Sequence, residues 1–156
     1  MSTSTRRPQS GQDLLRLDRQ LCFPLYAASR LVTRLYQPLL EPLGLSYPQY
    51  IVLMILWEEA PCSVSHLGSR ALLNSNTLTP LLKRLEHSGY VCRSRSTIDE
   101  RVVELSLTKE GKALKSVCAS IPRALISSLD FPLEKAATLK SLLDEVVMHL
   151  TQDTSP

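Results

Sequence analysis

The 156-residue chain predicts a mainly α fold with a small β part (α+β): a winged helix-turn-helix with long N- and C-terminal dimerisation helices. Three observations predict it. Leu78, Leu81, Leu82 and Leu85 recur at i, i+3, i+4 and i+7, which puts four leucines on one helical face and leaves Asn76, Thr79, Lys83 and His87 on the other. Two short strands, about Val91–Arg95 and Val102–Leu107, enclose a polar tip from Ser96 to Arg101. Ser63 to Ala71 is a short amphipathic helix with Val64, Leu67 and Ala71 inward, joined to the leucine helix by only Leu72, Leu73 and Asn74. A leucine-striped helix followed by a hairpin occurs in many α+β domains. The short helix one tight turn ahead of it selects helix-turn-helix geometry.

In chain order, residues 1–12 are rich in Ser, Thr and Gln, hold Arg6 and Arg7 and contain no apolar run, so they read as a flexible tail and not as a secretory signal. Residues 13–47 form the first dimerisation element: Leu14, Leu17, Leu21, Leu25, Ala28, Val32, Leu35, Leu39 and Leu43 fall at spacings of three or four. Pro24 either delays the main helix to near Cys22 or kinks it there, and Pro38 and Pro42 mark its end. Ser46 precedes Tyr47-Pro48, and Pro48 suits the first turn of a helix running to Glu59. Residues 48–107 make the winged lobe, entered through Ala60-Pro61-Cys62. Asn74 or Ser75 caps its leucine helix, and Gly89 supplies a left-handed stop. Residues 108–151 form the second dimerisation element. Thr108 caps a helix with Leu114, Val117, Cys118, Ile121, Leu125 and Leu129 as its stripe and a kink at Pro122. After Phe131-Pro132 a last helix carries Ala136, Leu139, Leu143, Val146, Val147 and Leu150 on one face, and a polar end follows. These stripes exceed what a small winged lobe can cover. A homodimer forming a single intertwined domain is therefore expected, with intramolecular packing of the same stripes as the alternative.

The net charge of +3 permits a polyanionic partner without demanding one. More telling, Lys83 to Arg101 holds five Lys/Arg against three acids. No apolar run approaches about 18 residues, so no membrane partner is expected. Cys22, Cys62, Cys92 and Cys118 lie far apart with no C-x-x-C or Cys/His cluster, and there is no Gly-rich phosphate loop. No metal and no cofactor are expected, and in a cytoplasmic chain all four thiols stay reduced. Cys62 reads as loop, Cys92 as strand and Cys118 as helix core; His66, His87 and His149 read as solvated. Two lobes on a two-fold axis would read a palindrome in double-stranded DNA one helical turn apart. Ser75, Asn76, Thr77 and Thr79 are candidates for base contacts, and Lys83, Arg84, Arg93 and Arg95 for phosphates. The bland reading of each basic residue is a solvated surface charge.

Leu72-Leu-Asn-Ser-Asn-Thr-Leu-Thr-Pro-Leu-Leu-Lys-Arg-Leu-Glu86, Arg95-Ser-Thr-Ile-Asp-Glu-Arg101 and Leu107-Thr-Lys-Glu-Gly111 together resemble the MarR family of winged-helix regulators. Leu21-Cys-Phe-Pro-Leu-Tyr26 and Leu45-Ser-Tyr-Pro-Gln-Tyr50 resemble its organic hydroperoxide resistance repressor branch. The resemblance implies a homodimeric repressor on a palindromic operator, with Cys22 as peroxide sensor. It implies that Tyr36 and Tyr47 of the partner subunit hydrogen-bond that sulfur, with Tyr26 in support, and that Arg101 of the wing enters the minor groove. The chain departs from the pattern at Asn74, usually acidic, at Asn76, usually small, and at Pro24, usually an ordinary helix former. Ser127 stands near the position of the second cysteine of the two-cysteine subgroup, so no built-in resolving thiol is expected there. Cys118 is the alternative.

Cysteine reacts with peroxides as the thiolate, and a helix N-terminus lowers a thiol pKa from its reference of about 8.5. Phenolic hydroxyls favour the anion by donating to it. Phe23, Leu25 and Trp57 would suit an alkyl hydroperoxide. The resemblance thus implies an organic hydroperoxide and a small thiol as reactants: sulfenic acid first, then a mixed disulfide, then rotation of the lobes away from operator spacing. Two other readings stand beside it. One is a regulator relieved by a small aromatic ligand at the dimer crevice, with Cys22 a buried structural residue. The other is an enzyme, a thiol peroxidase using Cys22, for which no Thr/Arg constellation is evident; a non-enzyme is expected.

Overall fold

The computed structural model describes residues 15–152. The expected tail over residues 1–12, Leu14 and residues 153–156 lie outside them. Among the described residues, after a 3-10 turn at Leu17–Arg19, come seven helices, α1 (Cys22–Leu40), α2 (Tyr47–Glu59), α3 (Val64–Ala71), α4 (Ser75–His87), α5 (Lys109–Cys118), α6 (Ile121–Leu129) and α7 (Leu133–Gln152), with strands β1 (Cys62–Ser63), β2 (Val91–Arg95) and β3 (Val103–Leu107). The fold is the mainly helical winged helix-turn-helix that the sequence predicts. Among the described residues no single helix is long and apolar enough to cross a membrane.

Local chemistry sets the boundaries. Of the two starts open to the first helix, the late one is realised, at Cys22. Pro24 then falls in the first turn, where N–H groups have no intrahelical acceptor and none is lost. The helix runs through Pro38 to Leu40, and Pro42 opens a second 3-10 turn, Glu41–Leu43, closed by Gly44 at φ 66°. Ser46 and Gln49 form a reciprocal capping box at the start of α2: the Gln49 N–H donates to Ser46 Oγ (3.4 Å), and the Ser46 N–H donates to Gln49 Oε1 (2.8 Å). The helix-turn-helix joint is a Schellman turn. Leu72 adopts φ 53°, its N–H donates to the Ser69 carbonyl (3.3 Å), and the Leu73 N–H donates to the Gly68 carbonyl (3.0 Å). Asn74, not Ser75, caps α4, its Oδ1 accepting from the Thr77 N–H (3.0 Å).

The sheet is antiparallel in the order β1-β3-β2, with Cys62 opposite Leu105 and Arg93 opposite Leu105 on its other side. Cys62 is thus a strand residue and not loop, because the two residues before α3 pair with β3. β3 starts at Val103 and not Val102, because the Val102 N–H closes a turn onto the Asp99 carbonyl (2.9 Å). The core gathers Leu53 and Leu56 of α2, Leu67 of α3, Leu78, Leu82 and Leu85 of α4 and Leu105 of β3, all fully buried. Each such side chain contributes about 1.5–3 kcal/mol by leaving water. α2 buries Val52, Leu53, Ile55 and Leu56 on more than one side, as the central helix of the lobe must.

The chain divides into two compact units, Met1–Val117 and Cys118–Pro156. In the second, Pro122 marks more than a kink. α5 ends at Cys118 and α6 restarts at Ile121, with Pro122 in its first turn. Ile121 and Leu125 are buried, whereas no residue of α7 is.

Candidate functional site

Cys22 is the first residue of α1, and its thiol is free and exposed. Tyr26, one turn on, is exposed too, with the Arg30 guanidinium 5.6 Å from its ring centroid. Tyr36 lies 14 residues along the same helix, which at 1.5 Å per residue is about 21 Å away. There Tyr36 stacks on Tyr47 of α2, ring centroids 4.6 Å apart, and on Tyr50 at 5.8 Å. Burial, with Tyr47 and Tyr50 close by, pushes the Tyr36 phenol up to about 12, and burial raises Tyr47 as well. Both hydroxyls therefore stay protonated, able to donate, across the neutral range. Within one chain the tyrosine pair and Cys22 do not meet. The tyrosine stack was not visible in the sequence, because only the packing of α1 on α2 makes it; the nearest signal was three tyrosines spaced 36, 47 and 50.

The other cysteines differ. Cys118 is buried, and burial pushes its thiol up. Cys62, half-buried beside Glu59, is also raised, first by burial. The Cys92 Sγ lies 3.7 Å from the Ser106 carbonyl across the sheet. Ser127 directs its hydroxyl to the Arg123 carbonyl of its own helix (3.1 Å).

Ser75, Asn76, Thr77 and Thr79 are all exposed over the first turns of α4. Pro80 inside this helix leaves the Asn76 carbonyl without its intrahelical donor. Lys83 and Arg84, also exposed, line a crevice of about 860 Å³ between α4 and the α1–α2 corner, together with Arg34, Tyr47, Gln49 and His87. Arg93 is half-buried, its Nε 2.9 Å from Glu86 Oε2 at an angle that makes an ion pair but no hydrogen bond. Arg95 donates to the Glu100 carbonyl within the wing (3.1 Å). Arg101 projects from the tip, 93% exposed, with its Nε 3.3 Å from Asp99 Oδ1.

Two arrangements escaped the sequence reading. His66 is not simply solvated: its Nε2 meets Glu59, which also accepts from Arg70 Nε (2.7 Å), and the His66 and Arg70 contacts hold the Glu59 carboxyl below the usual range. This clasp ties α3 to the end of α2. Trp57 serves the lobe: its Nε1 donates to the Gly111 carbonyl (2.8 Å). A Cβ on Gly111 would overlap the Tyr90 carbonyl oxygen. Thr108 caps α5 through the Gly111 N–H (3.0 Å) and donates to the Gly89 carbonyl (2.6 Å), which pins the wing's base. Among the described residues no group of three or more His, Cys, Asp or Glu could hold a metal.

Comparison with known proteins fits this geometry. The family model described as transcriptional regulator SarA/Rot matches residues 34–117. The organic hydroperoxide resistance transcriptional regulator of Bacillus subtilis is 43% identical over 140 residues, 90% of this chain and 95% of that one. The structure of reduced AbfR bound to DNA, 37% identical, superposes with a TM-score of 0.73 over 91% of this chain and 99% of that one. A disulfide form of AbfR, 39% identical, gives 0.62 over 90% and 96%; AbfR is a Staphylococcus epidermidis protein.

Proposed function

The chain belongs to the MarR/SarA-type family of winged-helix transcriptional regulators, in its organic hydroperoxide resistance branch, and from that premise we propose that it is a dimeric, cytoplasmic repressor released from a palindromic DNA operator when an organic hydroperoxide oxidises Cys22. The observation that carries this is the placement of Cys22: free, exposed and at the positive end of a helix, about 21 Å from the tyrosine pair of its own chain. Tyr36 and Tyr47 can serve a sulfur only on another copy, which makes the sensing site a property of the dimer. Cys22 attacks the hydroperoxide, forming an S–O bond as the O–O bond breaks. The products are a sulfenic acid and the alcohol. A small thiol then displaces water from the sulfenic acid, leaving a mixed disulfide. The burial of Cys118, and a serine rather than a thiol at position 127, support an external thiol over an internal bridge. Arg101 and the exposed face of α4 are the DNA contacts of this reading; Arg93, engaged on Glu86, contributes least.

Operator occupancy against cumene hydroperoxide dose tests it, on DNA upstream of the protein's own gene. Wild type should dissociate at about one peroxide per thiol. Cys22→Ser should bind equally well and stay bound. Release of Cys22→Ser at the wild-type dose would remove the sensor assignment. Mass spectrometry after peroxide and glutathione should find the adduct on Cys22, and a Cys22–Cys118 linked peptide would promote Cys118 to resolving residue.

One observation favours a second reading. The crevice beside α4 has drug-sized volume, with Arg34, Lys83 and Tyr47 on its walls. A small aromatic acid there would relieve repression without Cys22 chemistry. Salicylate releasing Cys22→Ser from DNA would establish that route.

A further inference from the structure

Ile98 stands at the tip of the wing, 95% exposed, more than any other large apolar side chain among the described residues. Its backbone is held on both sides. Ser96, only 5% exposed, donates its N–H to the Val102 carbonyl (2.9 Å) and accepts the Ile98 N–H on its Oγ (3.3 Å). The Asp99 carbonyl accepts from the Val102 N–H (2.9 Å), and Asp99 Oδ1 accepts from the Arg101 N–H (3.0 Å). The hairpin therefore presents a branched alkyl group outward, beside the equally exposed Arg101.

Charge and shape say what that group meets. Residues 96–101 carry one arginine against Asp99 and Glu100, so net charge does not draw the tip to phosphates. An isoleucine offers a phosphate no donor. What it can cover is the apolar wall of a groove and the floor between sugars. In the minor groove A·T pairs show only acceptors, whereas G·C pairs raise the guanine amino group in the middle of the floor. Apolar side chains enter that groove as wedges, and a protruding amino group obstructs them.

We infer that Ile98 is a specificity-determining residue: it enters the minor groove beside Arg101 and selects A·T over G·C pairs flanking the bases read by α4. This rests on the DNA-binding reading above, and the experiment separates the two. The full-length dimer selects its tightest duplex from a random-sequence pool. In that duplex the flanking A·T pairs are replaced by G·C, or by inosine·C, which keeps the minor groove of A·T and the major groove of G·C. Wild type should lose about fivefold or more with G·C, the low end of a mismatch cost, and little with inosine·C. Ile98→Ser should bind more weakly and alike on all three duplexes, and Ile98→Val should keep most of the preference. Ile98 touches nothing the fold needs, so the variants fold. Equal discrimination by wild type and Ile98→Ser, or equal losses with G·C and inosine·C, would overturn the inference alone. A wild-type pool that enriches no sequence would overturn the DNA-binding reading and this inference together.

Discussion

The leucine-striped helix α4 of the winged lobe and the last helix α7 have sequences of one kind, leucine stripes at helical spacing, and opposite fates. Leu78, Leu81, Leu82 and Leu85 of α4 are all buried within a single chain. α7 buries none of its residues, and Leu139, Val147 and Leu150 are exposed. A stripe in the sequence thus says that a face wants cover and not where the cover comes from. The winged lobe closes on itself; α7 has the composition of an interface, and its stripe is left exposed or half-covered within one chain. A contiguous apolar surface of that kind marks an association site, which is why the proposed function needs a dimer.

The same substitution in both regions gives the largest contrast. Leu82→Asp puts an unpaired charge into a fully buried site and should unfold the lobe, since that cost rivals a total stability of about 5–15 kcal/mol. Urea melts followed by tryptophan fluorescence would check it. Leu143→Asp, on the half-covered stripe of α7, should cost the single chain about 1 kcal/mol and shift light-scattering mass from dimer to monomer at micromolar concentration. A Leu143→Asp dimer of undiminished affinity would place the interface elsewhere.

A smaller effect separates α1–α2 packing from the exposed thiol end of α1. The folded state holds the Tyr36 phenol at about 12, above its ordinary 10. A raised pKa means the folded protein binds a proton that the unfolded chain has released. That stability is complete below pH 10 and is lost as pH rises from 10 to 12. Thermal midpoints should therefore fall across this window, and Tyr36→Phe should flatten the fall. A decline just as steep in Tyr36→Phe would assign it to other groups.

What the sequence made legible follows the same division. Contacts near in sequence could be read: the leucine face of α4, its Asn74 cap, the Gly89 stop, and the hairpin to within one residue. Those that depend on one element lying across another could not. The pairing of Arg93 with Glu86 is one, because Glu86 sits on a helix facing the strand. His66 reads as solvated because Glu59 lies seven residues back, across the α2–α3 corner. Trp57 reads as a peroxide-pocket wall, yet its indole N–H is committed to Gly111, 54 residues on. For the proposed sensing site, Cys22, Tyr36 and Tyr47 came from the family resemblance, which also implied that the tyrosines belong to the partner subunit. What the structure adds is the distance within one chain, set by α1 running without a break from Cys22 to Leu40.

The smallest effect lies at the joint between the two helices of the lobe. Leu72 is a non-glycine residue at φ 53°, a conformation that costs an L side chain about 1 kcal/mol or more. Its side chain is 64% exposed and recovers little of that by packing. The Schellman bonds from the Leu72 and Leu73 N–H groups use backbone atoms alone, so glycine can make them equally well. Leu72→Gly removes the strain but frees the unfolded chain, which offsets part of the gain. The net expected change is a rise in stability of under about 1 kcal/mol, seen as a slightly higher urea midpoint at unchanged slope. Leu72→Val, β-branched at the same φ, should move the midpoint down. A clear loss in Leu72→Gly would mean that the exposed leucine is covered in the assembled protein, as the stripe of α7 is proposed to be, and the joint would then belong with the interface and not with the self-contained lobe.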